Sequence, residues 1–503
     1  MVFDSSKIVK KPFPGFFYEV AMKENSEKDG TIQVTETPKK RKKLAMPDTY
    51  IIVAFIVLIM AALTWVIPPG TYDYQEVNIN GKMKNIAVDG TFHYMDPSEA
   101  NPAGILDFFK SLYTGCVDAA DIIFVIFVCA GTFGILVKTG AFHAGIGTVL
   151  RKMGKKDILL VPILMSVFAL GSSLFGMLSE FYGFIPLMVG LGVALGYDAM
   201  YGFAIIALGE YVGFMGATLN PYTVGVAQAI AGVPLYSAMG FRVFSLACFI
   251  SACSAYVIIY GKRLRRNPER SVVFGEKSIH AFNKEDLDQY KMNWKTILII
   301  VDVLATLGIL MYGMMNLGWG YGELSGLFLA MSIIAAGIDG WSPNRWVDEF
   351  IVGVKTIVWG GLLTGVAKAI VVVMEDAYIK DTIIFGLSNS MKGLPSMVSA
   401  QMMLVAQTVL NFFIPSGSGQ AAATMPIMAP LADMLGVSRQ VACLAFQFGD
   451  GLSNLVWPTC GCVIICALGG ISIQKWWKWF LPLAGILFAM QMALIALAML
   501  MGL

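Results

Sequence analysis

Two short polar runs inside apolar sequence carry residue types that bind small charged molecules. The first spans Gly176 to Glu180, and the second spans Asn411 to Gln420 and contains Ser-Gly-Ser-Gly-Gln. Glycines permit a tight turn with exposed amides, and a helix beginning there adds free N–H groups and the positive end of its dipole. These features suit a carboxylate. A Gly/Ser loop outside a membrane is the alternative interpretation.

Two further polar breaks combine proline or glycine with neutral oxygen-bearing side chains. One spans Gly216 to Pro221, and the other spans Asp450 to Thr459. Proline and glycine release backbone carbonyls from the helical ladder. Together with hydroxyl and amide oxygens, these carbonyls suit Na⁺ better than a transition metal. A simple proline kink between packed helices is the alternative at each break.

Charged side chains inside apolar segments are costly and are therefore functional candidates. Glu180, Glu210 and Asp450 could neutralise a cation, bind an amino group or carry a proton, although Glu210 and Asp450 could equally be structural. Lys368 could attract an anion or pair with an acid, or extend to the membrane surface. The predicted substrate- and ion-binding residues are Ser179, Glu180, Thr218, Asn220, Asn411, Ser416, Gly417, Ser418, Gly419, Gln420, Asp450, Ser453, Asn454 and Thr459, with Glu210 and Lys368 as charge partners.

The composition places these residues in a membrane protein. Of 503 residues, 57% are hydrophobic and 14% are charged, roughly half the charge of a typical soluble chain. The basic residues form short clusters between apolar runs, which predicts no nucleic-acid partner. The three histidines and eight cysteines form no metal or catalytic cluster in the sequence, and no Gly-Lys-Ser/Thr phosphate loop is present. We therefore expect neither an enzyme, nor a cofactor or metal centre, nor an ATP-driven pump.

Basic clusters predict the membrane topology, because cytoplasmic flanks are enriched in Lys and Arg. The clusters at 39–43, 151–156 and 262–266 place the N-terminus inside, and parity then predicts nine crossings and two re-entrant hairpins with an external C-terminus. Two full spans in place of the first hairpin would also satisfy parity. Trp476, Trp477 and Trp479 are interpreted as an interfacial belt.

The resulting domain prediction has seven parts. They are a cytoplasmic tail 1–43, a first span 44–69, an external segment 70–116 with a small hairpin at Asn80-Gly81 and a lead-in, repeat 1 at 117–260, a cytoplasmic linker 261–293, two linking spans 294–345, and repeat 2 at 346–503.

The two repeats are predicted from an internal alignment. An offset of 240 residues pairs Pro186 with Pro426 and aligns Gly209-Glu210 with Gly449-Asp450. Because charge alone gives these segments opposite orientations, we expect an inverted repeat. Such transporters bind substrate and coupling ions near the membrane midplane.

The runs SGSGQAAATMP, MAPLAD, GVSRQV and AFQFGDG between Asn411 and Thr459 resemble the C4-dicarboxylate anaerobic carrier (DcuC) family, and its YfcC-like branch of basic amino-acid or arginine/ornithine antiporters in particular. The N-terminal AMPDTY, Asn220-Pro221 and Ala367-Lys368 also match, and the resemblance covers nearly all of the chain beyond residue 44. It implies the ion transporter superfamily, with a homodimer of scaffold and transport domains moving by an elevator mechanism. Branch members carry two adjacent acids at the first hairpin tip, whereas this chain has only Glu180 after Ser179.

The sequence therefore predicts an all-α polytopic protein of the bacterial cytoplasmic (inner) membrane. We expect an Na⁺- or H⁺-coupled symporter or an exchanger for a small carboxylate-bearing metabolite. An amino acid such as arginine or ornithine is favoured over a C4-dicarboxylate. A channel is the alternative from another class.

Overall fold

The computed structural model describes residues 48–79, 82–96, 100, 102–145, 148, 158–276, 278, 280, 292–459 and 461–503. The predicted cytoplasmic tail 1–43 and the tip of the predicted small hairpin, residues 80 and 81, lie outside the described residues.

The described chain is helical apart from four short strands. The helices are α1 (Thr49–Leu63), α2 (Ile105–Asp118), α3 (Ala120–Lys138), α4 (Leu160–Phe175), α5 (Phe184–Ala194), α6 (Ala199–Met215), α7 (Val224–Ala231), α8 (Met239–Arg266), α9 (Trp294–Asn316), α10 (Tyr321–Asp339), α11 (Pro343–Asp376), α12 (Lys380–Asn389), α13 (Ser396–Phe413), α14 (Gly417–Met434), α15 (Arg439–Ser453), α16 (Gly461–Gly469) and α17 (Ile473–Leu500). The strands are β1 (Gly70–Thr71), β2 (Tyr74–Ile79), β3 (Lys82–Ala87) and β4 (His93–Tyr94).

Six described helices are long and apolar enough to cross a membrane, namely α3, α8, α10, α11, α13 and α17. Helices α1, α4, α5 and α6 are also apolar but shorter. An all-helical, multi-pass architecture is therefore confirmed, whereas the number of nine crossings stays a prediction.

Corresponding elements in the two halves pack in the same pairs. Helix α6 packs against α4, α5 and α8, as α15 packs against α13, α14 and α17. The halves also interlock, since α5 packs on α16 and α14 packs on α7. The side chains of Asp198 and Ser438, 240 positions apart, cap α6 and α15. Order, capping and packing thus support a repeated core, while its inversion across the membrane stays a prediction.

The two central helices cross at a glycine. A Cβ built on Gly451 of α15 would lie 2.5 Å from the backbone nitrogen of Met215 in α6. Only glycine permits this approach without a shift, as in the small-residue contacts of membrane helices. The crossing holds the broken ends of α6 and α15 side by side.

The external segment forms two antiparallel strand pairs. Strand β2 pairs with β3 so that Ile79 lies opposite Lys82, which leaves the two-residue connection that the sequence predicts. Strand β1 pairs with β4. Strand β3 packs on α14, and β1 packs on α12, so this segment contacts the second hairpin.

Several elements differ from the prediction. The lead-in to repeat 1 contains an amphipathic helix, α2, which packs on α11, and the predicted repeat 2 contains a further short polar helix, α12. Helix α11 begins at Pro343, before the predicted start of repeat 2 at residue 346. Asp450 and Ser453 belong to the last turn of α15, because the break begins only at Asn454.

Two of the three tryptophans in the predicted interfacial belt lie inside the protein. Trp476 and Trp479 are buried, with exposed fractions of 0% and 4%. Trp476 Nε1 donates to the carbonyl of Leu455 at 2.9 Å, and Trp477 Nε1 donates to that of Val456 at 2.8 Å. The two indole N–H groups thus donate to carbonyls that the break after α15 leaves free. Satisfying these carbonyls favours burial of the indoles over their exposure at a membrane surface.

Candidate functional site

A cavity of about 1080 Å³ lies between the two hairpins and the helix breaks. It extends to the external segment and to the end of α11. The predicted residues that line it are Ser179, Glu180, Lys368, Ser416, Gly417, Ser418, Gly419, Asp450, Asn454 and Thr459. The other predicted residues lie behind its wall: Thr218, Asn220, Asn411, Gln420, Ser453 and Glu210.

The first hairpin presents Glu180 to the cavity. Helix α4 ends at Gly176, whose φ of 73° lies in the left-handed region, and a short 3₁₀ turn from Ser179 to Phe181 follows. Glu180 is 3% exposed and accepts hydrogen bonds from Leu178 N at 2.7 Å and Ser179 Oγ at 3.3 Å. Both donors hold the carboxylate in place at the tip.

The second hairpin presents the start of α14. The Ser416 side chain accepts a hydrogen bond from Gly419 N at 3.3 Å and so caps the helix. A Cβ on Gly417 would lie 2.6 Å from Thr223 Cγ2 and 3.2 Å from Asp450 Oδ2, so glycine fits where both break regions meet the tip. The amides of this first turn and Ser418 border the cavity.

Behind this tip, buried amide side chains join the two limbs of the hairpin. Gln407 Oε1 accepts from Gln420 Nε2 at 2.7 Å, and Gln420 Oε1 accepts from Asn411 Nδ2 at 2.9 Å. The same Asn411 nitrogen donates to Asp450 Oδ1 at 2.9 Å. Asn411 and Gln420 therefore position the tip and Asp450, because their side chains are committed to one another.

The two oxygens of Asp450 have different surroundings. Oδ1 accepts from Asn411 Nδ2 and, at 3.2 Å, from Asn454 Nδ2. Oδ2 is buried and, within the described part of the chain, has no hydrogen-bond donor. The hydroxyl of Thr223, also on the cavity wall, is likewise buried and unbonded among the described residues. Asp450 Oδ2 can therefore accept a proton, and both oxygens can bind a cation.

Thr218 and Asn220 stay predicted ligands, and the side chains of both are hydrogen-bonded within the protein. Asn220 Oδ1 accepts from Tyr222 N and Thr223 N at 2.9 and 3.2 Å, which starts α7. The Thr218 hydroxyl lies 3.0 Å from that of Ser173 on α4. Ser453 Oγ donates to the carbonyl of Gly449 at 2.5 Å. These short polar side chains are engaged with neighbouring backbone and hydroxyl groups, a common role for such residues.

Sequence reasoning missed the aromatic part of the cavity. Tyr182, Tyr211, Tyr222, Trp319 and Tyr321 line it, together with Asp118 and Thr364. Tyr182, Tyr222 and Tyr321 line the same cavity as Glu180. A sequence signal existed for Tyr182 and Tyr222, since each lies within two residues of a predicted site residue. Trp319 and Tyr321 lie where α10 begins, far in sequence from the predicted site residues. Only the tertiary fold brings them to the cavity.

Charged residues also border the cavity toward the external segment. Lys380 forms an ion pair with Glu375 at 2.8 Å. Asp381 accepts hydrogen bonds from the Tyr74 hydroxyl at 2.8 and 2.9 Å and from Tyr72 N at 3.2 Å. Burial and, after it, the charge of Asp381 raise the pKa of the Tyr74 phenol, so the phenol stays a donor. Lys368 makes no ion pair with the described residues.

The sequence matches the family of C4-dicarboxylate anaerobic carriers over residues 46–500. A relative in Escherichia coli K12, named "Putative basic amino acid antiporter YfcC", is 32% identical over 93% of this chain and 99% of the relative. The chain belongs to the C4-dicarboxylate anaerobic carrier family. It is therefore a membrane transporter and not an enzyme.

Three other similar proteins have a lower sequence identity to this chain. A Haemophilus influenzae relative described as an uncharacterized protein is 28% identical over 90% of this chain and 96% of its own. The solved YdaH transporter of Alcanivorax borkumensis has a TM-score of 0.41 at 16% identity, covering 91% of this chain and 99% of that one. MtrF of Neisseria gonorrhoeae, titled as one of a class of antimetabolite efflux pumps, has a TM-score of 0.40 at 16% identity, covering 90% and 95%. Both structural likenesses are too weak to locate a site.

Proposed function

We propose that this carrier moves a small amino acid with a cationic side chain, such as arginine or ornithine, by ion-coupled symport or by exchange. The observation that carries the proposal is the charge of the cavity wall. Five acids line the cavity, Asp118, Glu180, Glu375, Asp381 and Asp450, against two bases, Lys368 and Lys380. Five minus two leaves an excess of three acidic groups, which favours a ligand with positive charge.

The cationic end of the substrate is proposed to bind at Glu180. Tyr182, Tyr222 and Tyr321 line the same cavity as Glu180, and tyrosine faces attract ammonium and guanidinium groups. A guanidinium can also form a bidentate pair with a carboxylate. Both features fit the name of the Escherichia coli relative.

The substrate carboxylate is proposed to bind at the first turn of α14, with Ser418 and Lys368 as further donors. Asp450 lies beside Gly417 at this seat. Two carboxylates so close together repel each other unless one is neutralised. The seat therefore accepts a carboxylate when Asp450 holds a proton or Na⁺, and this requirement would couple the two ligands.

If the coupling ion is a metal cation, the oxygen atoms at this part of the cavity fit Na⁺. Asp450 Oδ2, Thr223 Oγ1 and the side chain of Asn454 border one part of the cavity. These are hard oxygen ligands without sulfur or imidazole. Within the described residues no cluster of three His, Cys, Asp or Glu side chains offers an alternative metal site.

A C4-dicarboxylate is the second candidate substrate, favoured by the family description and by Lys368 at the cavity wall. Two carboxylates would need two cationic or amide seats, and the acidic groups outnumber the bases. A channel is less suitable because the cavity lies between two hairpins of an interlocked core. Saturable, trans-stimulated flux would distinguish a carrier from a channel.

We also propose a location, an oligomeric state and an orientation for the protein. We place the protein in the bacterial cytoplasmic membrane as a homodimer with a cytoplasmic N-terminus and an external C-terminus. The cavity extends to the residues predicted to be external, including Tyr74 and Lys380, which would make this an outward-facing arrangement.

Uptake into proteoliposomes tests the function directly. Arginine, ornithine, a neutral amino acid and a C4-dicarboxylate would compete under imposed Na⁺, proton or counter-substrate gradients. We expect the cationic amino acids to be transported, and Glu180→Gln to reduce their uptake while Glu269→Gln, in the exposed turn after α8, has no effect. Transport of dicarboxylates alone would exclude the proposed substrate.

A further inference from the structure

Arg242 and Trp476 occupy equivalent positions in the two halves. Each is the fourth residue of a 28-residue helix, α8 or α17, and each of these helices packs on the central broken helix of its own half. Both side chains lie inside the protein, with exposed fractions of 1% and 0%. The repeat therefore places one long, buried donor side chain beside each broken helix.

The two side chains donate to corresponding carbonyls beyond the broken helices. Arg242 Nη1 donates to the carbonyl of Ala217 at 3.4 Å, and Trp476 Nε1 donates to that of Leu455 at 2.9 Å. Ala217 is the second residue after the end of α6, and Leu455 is the second residue after the end of α15. A continued helix could not satisfy the Ala217 carbonyl, because the residue four positions on is Pro221, which has no N–H.

The two donors differ in charge. The indole of Trp476 is neutral, whereas a guanidinium group keeps its positive charge. Arg242 Nε also donates to the carbonyl of Ser237 at 3.3 Å, but no acidic side chain of the described residues forms an ion pair with it, and its Nη2 has no partner there. A buried charge without a counter-ion is strongly destabilising. Since a neutral indole suffices at the second break, the hydrogen bond alone does not explain the charge at the first.

The C-terminal end of a broken helix is a favourable place for a cation. Its free carbonyls and the helix dipole carry partial negative charge, and transporters use such ends to coordinate coupling ions. At the end of α15, Asp450 Oδ2 is available for a cation. At the end of α6, the guanidinium group of Arg242 supplies the positive charge, and the carbonyl of Gly216 accepts from Ser173 Oγ at 3.1 Å. The cation of the first break is therefore part of the chain.

We propose that Arg242 is the resident cation of the first break, so that a coupling cation binds at the second break alone. This inference rests on the proposed function, in which Asp450 holds the coupling cation. Arg242 lies outside the cavity wall and thus acts through the end of α6 instead of on the substrate. The two halves then hold one fixed cation and one exchangeable cation, and each transport cycle moves a single coupling ion.

Chemical rescue tests whether the charge matters at this position. Arg242→Ala should lower the melting temperature and the rate of arginine uptake, because it leaves a void beside a helix end whose partial charge is no longer neutralised. Guanidinium ion at low millimolar concentration should raise the melting temperature again, whereas urea, which is a neutral molecule of similar shape, should not. Arg263→Ala, at the exposed end of the same helix, should melt close to the wild type with or without guanidinium. Equal restoration of Arg242→Ala by urea and guanidinium, or by neither, would overturn the proposal.

Two further variants decide the matter if Arg242→Ala does not fold. Arg242→Lys keeps the positive charge, and Arg242→Met keeps a long side chain without it. The lysine variant should retain more of the wild-type melting temperature and uptake. A methionine variant that equals or exceeds the lysine variant would show that the charge has no role.

The number of coupling ions separates this inference from the proposed function. The reversal potential of arginine uptake in proteoliposomes, under imposed Na⁺ or proton gradients, gives the number of cations moved with each arginine once the charge of arginine itself is subtracted. One cation supports a single exchangeable site, and two would overturn it. Absence of arginine uptake under every gradient would reject the proposed function, while the melting experiments need no substrate and still test Arg242.

Discussion

At the scale of single residues, the two oxygens of the Asp450 carboxyl group have different neighbours and different roles. Its Oδ1 is held by two amide donors, and its Oδ2 is left for the cavity. The amide chain from Gln407 through Gln420 and Asn411 fixes this orientation from the second hairpin. A buried network of this kind is favourable only while every member is satisfied.

Asp450→Asn is predicted to separate charge from structure. The asparagine oxygen can still accept from Asn411 and Asn454, so thermal stability should stay close to that of the wild type, while stimulation of uptake by Na⁺ or protons is lost. Asp450→Ala should instead lower stability, because the amide nitrogens of Asn411 and Asn454 each lose one of their two acceptors, at about 0.5–1.5 kcal/mol per hydrogen bond. Melting and ion-stimulated uptake of both variants measure the difference, and equal ion stimulation in Asp450→Asn would rule the residue out of coupling.

Ser416 and Ser418 are predicted to behave differently although they are two residues apart. Ser416→Ala removes the cap of α14 and should destabilise the protein by about 1 kcal/mol, with Ser416→Asn restoring it. Ser418→Ala should weaken apparent substrate affinity several-fold, the effect of one neutral hydrogen bond of about 0.5–1.5 kcal/mol. Half-saturation and melting temperature check both effects. Normal half-saturation in Ser418→Ala would show that this hydroxyl does not contact substrate.

At the scale of elements, the crossing of α6 and α15 positions both broken helices. Gly451→Ala should destabilise the protein by about 1–3 kcal/mol, because the new methyl group meets the backbone of Met215. Gly337→Ala is the matched control, since a Cβ there meets nothing within 4 Å in helix α10. The control should gain about 0.5–1 kcal/mol from helix propensity. Opposite shifts in melting temperature are expected, and a stabilised Gly451→Ala would contradict the close crossing.

The linker after α8 is predicted to dock in a pH-dependent manner. His280 Nε2 lies 2.8 Å from the carbonyl of Leu468, and burial lowers the pKa of this histidine from 6.5 to about 4. The docked state thus holds the neutral ring, so its stability is present above pH 6.5 and is lost as the pH falls toward 4. Hydrogen exchange in residues 267–276 should increase on acidification, and much less so in His280→Gln. Equal pH sensitivity in both proteins would exclude His280 as the cause.

At the scale of the whole molecule, the direction of insertion decides which end of the cavity meets the outside. Single cysteines at the exposed positions Asp89 and Glu269, in a cysteine-less background, should react from opposite sides with an impermeant thiol reagent. The basic residues around 262–266 predict that Asp89 is external and Glu269 cytoplasmic. Labelling of both from one side would overturn the predicted topology and the inversion of the repeats.

Local sequence determined the helices, their breaks and their caps. Apolar length identified the main spans, Gly-Ser and Asn-Pro runs located the breaks, and the offset of 240 residues matched α6 to α15. These features depend on backbone propensities and on residues close in sequence. The amphipathic α2 and the polar α12 escaped prediction because their stability comes from packing on α11, β1 and the second hairpin.

Only the tertiary structure decided which polar side chain serves the backbone and which faces the cavity. Asn220 and Asn411 have the same side chain, yet one accepts from the backbone of the turn before α7 and the other positions Asp450. Thr223 and Tyr321, which no motif marked, reach the cavity wall. The physical reason is that a break frees donors and acceptors that must be satisfied by whatever lies nearest in space. That partner is set by long-range packing, which the order of residues along the chain does not reveal.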